Sequence, residues 1–310
     1  MNTNITTKKL PNHDLATLLR LVAITLIVSA HFDLLDYRGG GAALLMIIVG
    51  YNIATFKLPN YFKYGSIKPF AIMIAKVIIP TIAYTTLLHL IFGPIRYQEI
   101  LLISNFYTDR HPNGFAYWFI EVYIQILLIL LALLAIPIIH KTLKSNTEIS
   151  LLAFAILASL MFIISESLWD LNDLYRRVPW LMLWMVAFGM ATKYANNIYY
   201  KITLTILFII ASTVYYSSIH WFLVICTTLL IFDIPLRLPS LIKKPVYFMA
   251  SGSLFIYLTH FQSRSLVEKL ISDNPLLNTI SAIIIGAILF KIYDTTINKK
   301  LFEKIAKNKL

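Results

Sequence analysis

Arg20 and His31 are two ionisable residues inside an apolar run near the start of the chain, Leu15 to Phe32. At 100° per residue, eleven steps bring His31 back to within about 20° of the azimuth of Arg20, roughly 16 Å farther along one helix face. A charge in a bilayer core costs on the order of 2.5–3.5 kcal/mol. A cation and a proton-handling group on one face therefore predict a polar, functional interior.

The composition predicts that this interior belongs to a membrane protein. Hydrophobic residues make up 58% of the 310 residues, charged residues only 14%, and the mean hydropathy is +0.73. A soluble domain of this composition would expose too much apolar surface to water. Apolar runs that can cross about 30 Å of hydrocarbon predict an all-α polytopic protein with about ten spans, nine and eleven remaining possible. They lie near 15–35, 42–56, 70–93, 116–139, 149–168, 178–195, 201–217, 219–236, 246–262 and 275–297.

The distribution of lysine and arginine predicts that both termini are cytoplasmic. With that orientation, inner loops and tails hold 18 basic residues and outer loops hold 7, which together with Arg20 and Lys76 accounts for all 27. The prediction is one membrane domain over 1–310, with a cytoplasmic tail at 1–13 and a basic cytoplasmic tail at 298–310. No removable signal peptide is expected, because residues 1–14 are polar and the first apolar run carries Arg20.

The net charge of +12 does not call for a nucleic-acid partner. Most of the basic excess lines the cytoplasmic side, where anionic lipid headgroups, or a cytosolic anion such as a nucleotide-bearing cofactor, would attract it. The single cysteine, Cys226, lies in the middle of a predicted span and excludes a disulfide framework and a cysteine-based metal site. No metal is expected.

Depth in the membrane groups the ionisable residues into two levels. Arg20 and Lys76 each lie about six residues from the inner ends of their spans, about 9 Å deep. His31, Glu121 and His260 each lie near the outer end of a different span. The shared outer depth predicts that these three converge around one cavity, and the two cations predict an anion site at the inner level.

Structural roles are the alternative for each of these residues. Arg20 and Lys76 could extend to the inner headgroups along the lipid-facing surface. His31 and His260 could be interfacial histidines that bind loop carbonyls, and Glu121 could pair with a basic residue to hold two helices together. Glu121 is less easily explained in this way, because Gln125 at i+4 continues a polar stripe on an apolar helix.

Five sequence elements, in order, resemble the membrane-bound acyltransferase type 3 family, ten-span proteins that transfer acyl groups to sugars at the cell envelope. The first is the arginine and histidine eleven residues apart in the first span. The others are a glycine turn with an apolar run, a basic-x-x-x-Pro element, a Trp-x-x-x-Val-Glu-x-x-Phe block and a Tyr-Leu-x-His block. They occur at Gly40–Tyr51, Lys76–Pro80, Trp118–Gln125 and Ser253–His260.

Several positions depart from the family pattern. Ala43 stands where an acid is common, Val49 stands where serine is frequent, and the position of Glu121 is offset from the commonest pattern. Lys76 replaces the usual arginine, and lysine cannot make the bidentate fork of arginine to a phosphate. No extracytoplasmic esterase-like domain is expected, which resembles the smaller stand-alone members.

The resemblance implies an O-acyltransferase that uses acetyl-CoA as donor and a hydroxyl of an envelope polysaccharide or lipid-linked sugar as acceptor. In this reading His31 is the general base, and its reference pKa near 6.5 suits that role. Glu121 orients the imidazole or fixes the acceptor, and His260 is a second candidate for proton transfer. Arg20 and Lys76 bind acyl-CoA, which enters from the cytoplasmic side. The resemblance also implies that the membrane is a bacterial inner membrane. The alternative is a transporter or flippase for a small anionic or glycolipid substrate, for which internal repeats would be expected.

Overall fold

The computed structural model describes residues 13–35, 40–107, 117–169 and 176–301. Within these ranges every regular element is helical, which confirms the all-α class. The predicted tails lie outside the described residues, except for residue 13 and residues 298–301. Three stretches of the predicted outer loops, 36–39, 108–116 and 170–175, also lie outside them.

The described chain contains fourteen α-helices. They are α1 (His13–His31), α2 (Gly40–Phe56), α3 (Leu58–Tyr64), α4 (Lys68–Phe92), α5 (Tyr97–Ile100), α6 (Trp118–Ala135), α7 (Pro137–Ser145), α8 (Thr147–Trp169), α9 (Pro179–Tyr194), α10 (Ile198–Tyr216), α11 (Trp221–Ile231), α12 (Ser240–Ser251), α13 (Ser253–Leu270) and α14 (Pro275–Tyr293). A 3₁₀ turn at Ser104–Phe106 precedes α6, and a π-helical turn at Asp294–Asn298 follows α14.

Seven helical segments of the described chain are long and apolar enough to cross a membrane, as expected for an integral membrane protein. They are α1, α2 together with α3, α4, α6, α8, α10 and α14 with its following turn. The predicted number of about ten remains a prediction, because three predicted runs form other helices. Run 178–195 forms α9, with 16 residues, and 219–236 forms α11, with 11. Run 246–262 is divided at Gly252 between α12 and the more polar α13.

The centre of the bundle is the crossing of α2 and α9. A Cβ atom on Gly50 would lie 2.0 Å from the Val186 carbonyl oxygen, and one on Gly189 would lie 1.8 Å from that of Ile47. The two backbones are therefore in direct contact, which only glycine permits at these points. This explains why α9 is buried over almost its whole length.

Two further glycine contacts position the helices that carry the candidate residues. A Cβ atom on Gly41 of α2 would lie 2.6 Å from the carbonyl oxygen of Ala23 in α1. One on Gly286 of α14 would lie 2.5 Å from Cα of Ile256 in α13. Helices α1 and α13 are thus each held closely by a neighbour, and they pack against one another.

Candidate functional site

His31 and His260 form a hydrogen-bonded pair between α1 and α13. Nδ1 of His31 lies 2.8 Å from Nε2 of His260. The two rings are within 12° of parallel, and their centroids are 4.9 Å apart. These two residues lie 229 positions apart in the sequence, and their predicted depth in the membrane was the reason for grouping them. The structure places them in direct contact.

The backbone of α13 determines which imidazole donates the proton. Nδ1 of His260 is hydrogen-bonded to the carbonyl oxygen of Tyr257, which can only accept, so Nδ1 carries the hydrogen. In neutral His260 the other nitrogen, Nε2, is then the acceptor for Nδ1–H of His31. Neutral His31 consequently keeps a lone pair on its own Nε2, the nitrogen that points away from the pair.

The two histidines differ sharply in exposure. His260 is completely buried, whereas His31 is the last residue of α1 and is exposed. The chain turns immediately after it, because the amides of Phe32 and Leu34 both bind the carbonyl of Ser29 and Asp33 adopts a φ of +56°. His31 is therefore the member of the pair that a substrate can reach.

Arg20 contacts α13 at a second level of the same helix pair. Its Nε donates to Oγ of Ser253 over 2.9 Å. Ser253 precedes His260 by seven residues, two helical turns, so both lie on the face of α13 that meets α1. Arg20 meets Ser253 and, farther along both helices, His31 meets His260. Helices α1 and α13 therefore run parallel.

Arg20 also lines a cavity of about 330 Å³ with Lys57 and Lys76. No aspartate or glutamate is among the residues that line it. Its remaining polar surface includes Asn52 and Tyr257, and most of the rest is apolar side chain from α2, α4 and α6. The cavity therefore combines three cations with an apolar wall.

Tyr257 connects the cavity to the histidine pair. Its side chain lines the cavity, while its carbonyl oxygen binds Nδ1 of His260 one turn farther along α13. The predicted inner-level cations thus share one cavity, whose α13 lining, Ser253 to Tyr257, lies one to two helical turns before His260. The sequence predicts Lys57 in an inner loop, because the apolar run 42–56 ends just before it. It joins the cavity because it lies between α2 and α3, which together form one 25-residue segment.

Glu121 is buried but is bound by a different part of the chain. Ser104 Oγ donates to Oε1 over 2.7 Å, and the backbone amide of Asn105 donates to Oε2 over 2.8 Å. The residue is only 1% exposed. Among the described residues, no hydrogen bond joins Glu121 to His31 or His260, so the direct hydrogen-bonded contact links only two of the three predicted outer-level residues.

The turn that Glu121 binds is part of a buried polar network. Gln125 Nε2 donates to the carbonyl of Leu102 and to Oδ1 of Asn105, both over 2.8 Å. Asn105 Nδ2 donates in turn to the carbonyl of Arg177 over 3.0 Å. The polar stripe of Glu121 and Gln125 therefore attaches the segment before α6 to the helix bundle.

A second ionisable cluster lies next to this turn and was not identified in the sequence. Nε2 of His89 lies 3.2 Å from Oε2 of Glu99, and Nε of Arg96 lies 3.6 Å from Oε1. Burial raises the pKa of the Glu99 carboxyl to about 7; the charge of Arg96 opposes the shift, and the charge of Glu121 adds to it. Glu99 lies in α5, a short helix between two spans. The hydropathy of such a connecting segment does not show which of its side chains are buried.

Arg264 caps the C-terminal end of α1. Its Nη1 lies 3.5 Å from the carbonyl oxygen of His31, and its guanidinium is 5.5 Å from the ring of Phe32. Glu268, one turn along α13, accepts a hydrogen bond from its Nε. A cation at the carbonyl end of a helix is favourable, and here it stabilises the last turn of α1, which carries His31.

Among the described residues, no group of three or more histidine, cysteine, aspartate or glutamate side chains is arranged to hold a metal ion. The chain matches no family model, no curated protein and no solved structure.

Proposed function

We propose that this chain is a membrane O-acyltransferase that moves an acyl group, preferably acetyl, from acetyl-CoA to a hydroxyl of an envelope polysaccharide or lipid-linked sugar. The observation that carries the proposal is the oriented histidine pair beside a cavity with three cations. His31 offers a lone pair at an accessible nitrogen, and His260 accepts the hydrogen from its other nitrogen.

The pair suits general base catalysis on a hydroxyl. Nε2 of His31 would take the proton as the acceptor oxygen attacks the thioester carbonyl carbon. The resulting imidazolium keeps its Nδ1–H bond to His260, which becomes charge-assisted and stronger. When the C–S bond breaks, the same proton passes from His31 to the departing thiolate. Nothing is consumed beyond the thioester and the hydroxyl.

The cation cavity suits the donor. Acetyl-CoA carries phosphates at one end and a long, largely uncharged pantetheine arm that ends in the thioester. Arg20, Lys57 and Lys76 would attract the phosphates, and the apolar wall would accommodate the arm. Along α1, Arg20 and His31 are separated by roughly 16 Å of helix rise, comparable to the extended arm. A thioester held in this way reaches the level of the histidine pair.

The predicted topology supports transfer across a membrane. With both termini cytoplasmic, the cavity faces the compartment that supplies acetyl-CoA, and His31 lies toward the opposite side. The parallel course of α1 and α13 supports this proposal, because α13 begins inside the predicted ninth run, 246–262, which like the first run would cross outward. The five-element resemblance to the acyltransferase type 3 family supports the same reading, with the protein in a bacterial cytoplasmic membrane.

Transfer of label from [acetyl-¹⁴C]acetyl-CoA in host membranes tests the proposal. Inner membranes with and without the expressed chain are compared for label in the glycan and lipid-linked saccharide fractions, and for release of CoA thiol. We expect both signals only where the chain is present, and we expect His140→Ala on α7, remote in the fold from the pair, to keep them. Movement of a labelled glycolipid across the membrane without thiol release would favour a flippase instead.

A further inference from the structure

A second cavity, of about 430 Å³, lies between α2, α9, α10 and α11. It shares no lining residue with the cation cavity and lies against a different face of α2. Its lining is about equally polar and apolar and includes Tyr51, Thr55 and Asn196. The proposed acyl transfer makes no use of it.

The charged residues of this cavity are two lysines and one aspartate. Nζ of Lys193 lies 5.5 Å from the ring centroid of Tyr51, and Nζ of Lys201 lies 5.5 Å from that of Phe232. Both lysines line the cavity and are half-buried, and each lies over an aromatic ring. Asp233 lines the same cavity just after the end of α11 and is exposed.

This set of charges matches a zwitterion better than a simple anion. Two ammonium groups can bind one phosphodiester as point charges. A ligand with only negative charge would also meet the Asp233 carboxylate, which would repel it. An ammonium group attached to the phosphate would instead be attracted by that carboxylate.

The surface next to Lys201 identifies the source of such a ligand. Four isoleucines of α10 are exposed at four-residue spacing and form one stripe that runs away from the cavity. They are Ile198, Ile202, Ile206 and Ile210. An exposed apolar stripe on a membrane helix faces acyl chains, so a headgroup in the cavity could keep its lipid tails along α10.

We infer that this cavity binds the phosphoethanolamine headgroup of a phospholipid. Lys193 and Lys201 hold the phosphodiester, Asp233 accepts hydrogen bonds from the ammonium group, and the isoleucine stripe contacts an acyl chain. This inference does not depend on the acyl-transfer proposal, because the two cavities share no lining residue.

Native mass spectrometry of the purified protein in detergent tests this site. The probes are palmitoyl-oleoyl phosphatidylethanolamine, the matching phosphatidylcholine and phosphatidylglycerol, and soluble glycerophosphoethanolamine. Phosphatidylcholine is informative because its quaternary ammonium has no N–H donor for Asp233. The variants are Lys193→Gln/Lys201→Gln and Asp233→Asn, with Lys144→Gln, an exposed lysine on α7, as the matched control.

We expect phosphatidylethanolamine to be retained in preference to the other two lipids, with affinity lowered about tenfold or more in the double lysine variant. Asp233→Asn should remove the preference over phosphatidylcholine, and Lys144→Gln should change neither. Glycerophosphoethanolamine competing as well as the lipid would overturn the assignment of the acyl stripe. Equal retention of all three lipids, or unchanged retention in the double lysine variant, would overturn the site itself.

Discussion

Nδ1 of His31 donates to Nε2 of His260 over 2.8 Å, and the carbonyl of Tyr257 on the far side of His260 sets that direction. The direction matters because it leaves the accessible nitrogen of His31 unprotonated. In the proposed reaction His260 is thus a positioning residue, which would hold the tautomer and orientation of the imidazole that meets the substrate.

Replacement of His260 should lower turnover more than donor binding. We expect His260→Ala to reduce kcat about 10–100-fold, less than the full 10²–10⁴-fold value of a general base, with KM for acetyl-CoA nearly unchanged. His260→Gln should recover part of the activity, because its amide oxygen can accept from His31. Steady-state thiol release measures both parameters, with His140→Ala as the control. An alanine variant that changes KM and leaves kcat intact would contradict a positioning role.

The cation cavity predicts a graded loss of donor affinity. Arg20→Ala should raise the Kd for acetyl-CoA more than Arg20→Lys, because the charge contributes and the guanidinium fork adds to it. Lys57→Gln and Lys76→Gln should each weaken binding, and added salt should weaken binding to the wild type. Calorimetry in detergent measures these affinities. The matched control is Lys63→Gln, an exposed lysine of α3 outside the cavity. Equal affinities for acetyl-CoA in the cavity and control variants would contradict a donor site. They would favour the alternative that these side chains extend to lipid headgroups.

Glu121→Gln should affect stability and leave the chemistry unchanged. The substitution removes the charge from two hydrogen bonds to Ser104 and Asn105, which should cost about 1–3 kcal/mol of unfolding free energy. Thermal unfolding in detergent and proteolysis of the segment before α6 measure this effect. The pH profile of acyl transfer per folded molecule should remain as in the wild type. A shifted profile would mean that Glu121 acts on the histidine pair after all.

Periodicity and depth account for what the sequence predicted about the site. The eleven-residue spacing of Arg20 and His31 predicted one shared face, and both residues do contact α13. The sequence also contained a signal for the partner of Arg20. Ser253 is a small polar residue seven positions before His260, so it lies on the same face of α13. Depth also grouped His31 with His260 correctly.

Rotation about the helix axis is the part that one sequence does not reveal. Glu121 lies in a helix of the predicted depth, but its azimuth directs it to the 104–105 turn. The direction of the hydrogen bond between the histidines depends on a backbone carbonyl, that of Tyr257, which no residue type encodes. The apolar run 42–56 predicts that Lys57 lies in a loop, whereas the helical segment that contains it continues to Tyr64.

The buried Glu99 carboxyl predicts a pH dependence of stability. Its pKa is about 7 in the folded chain against an ordinary 4.5, so between these values the folded state binds a proton that the unfolded state has released. The contribution is complete below pH 4.5 and is lost as the pH rises through about 7. Glu99→Gln should therefore flatten the fall in unfolding temperature between pH 5 and pH 8. The control Glu148→Gln, whose carboxylate binds a loop amide elsewhere, should keep the wild-type slope. Parallel curves for wild type and Glu99→Gln would contradict the raised pKa.

The most direct test of the account is acyl transfer by His31→Ala. The variant is expressed in membranes, its unfolding temperature is compared with the wild type, and label from [acetyl-¹⁴C]acetyl-CoA is measured in the glycan fraction. An exposed residue at the end of α1 can be truncated without a large loss of stability, so we expect a folded protein. Its transfer should fall about 10²–10⁴-fold, to background, because the base is lost. Near-wild-type labelling by a folded His31→Ala protein would contradict the central claim that His31 is the base.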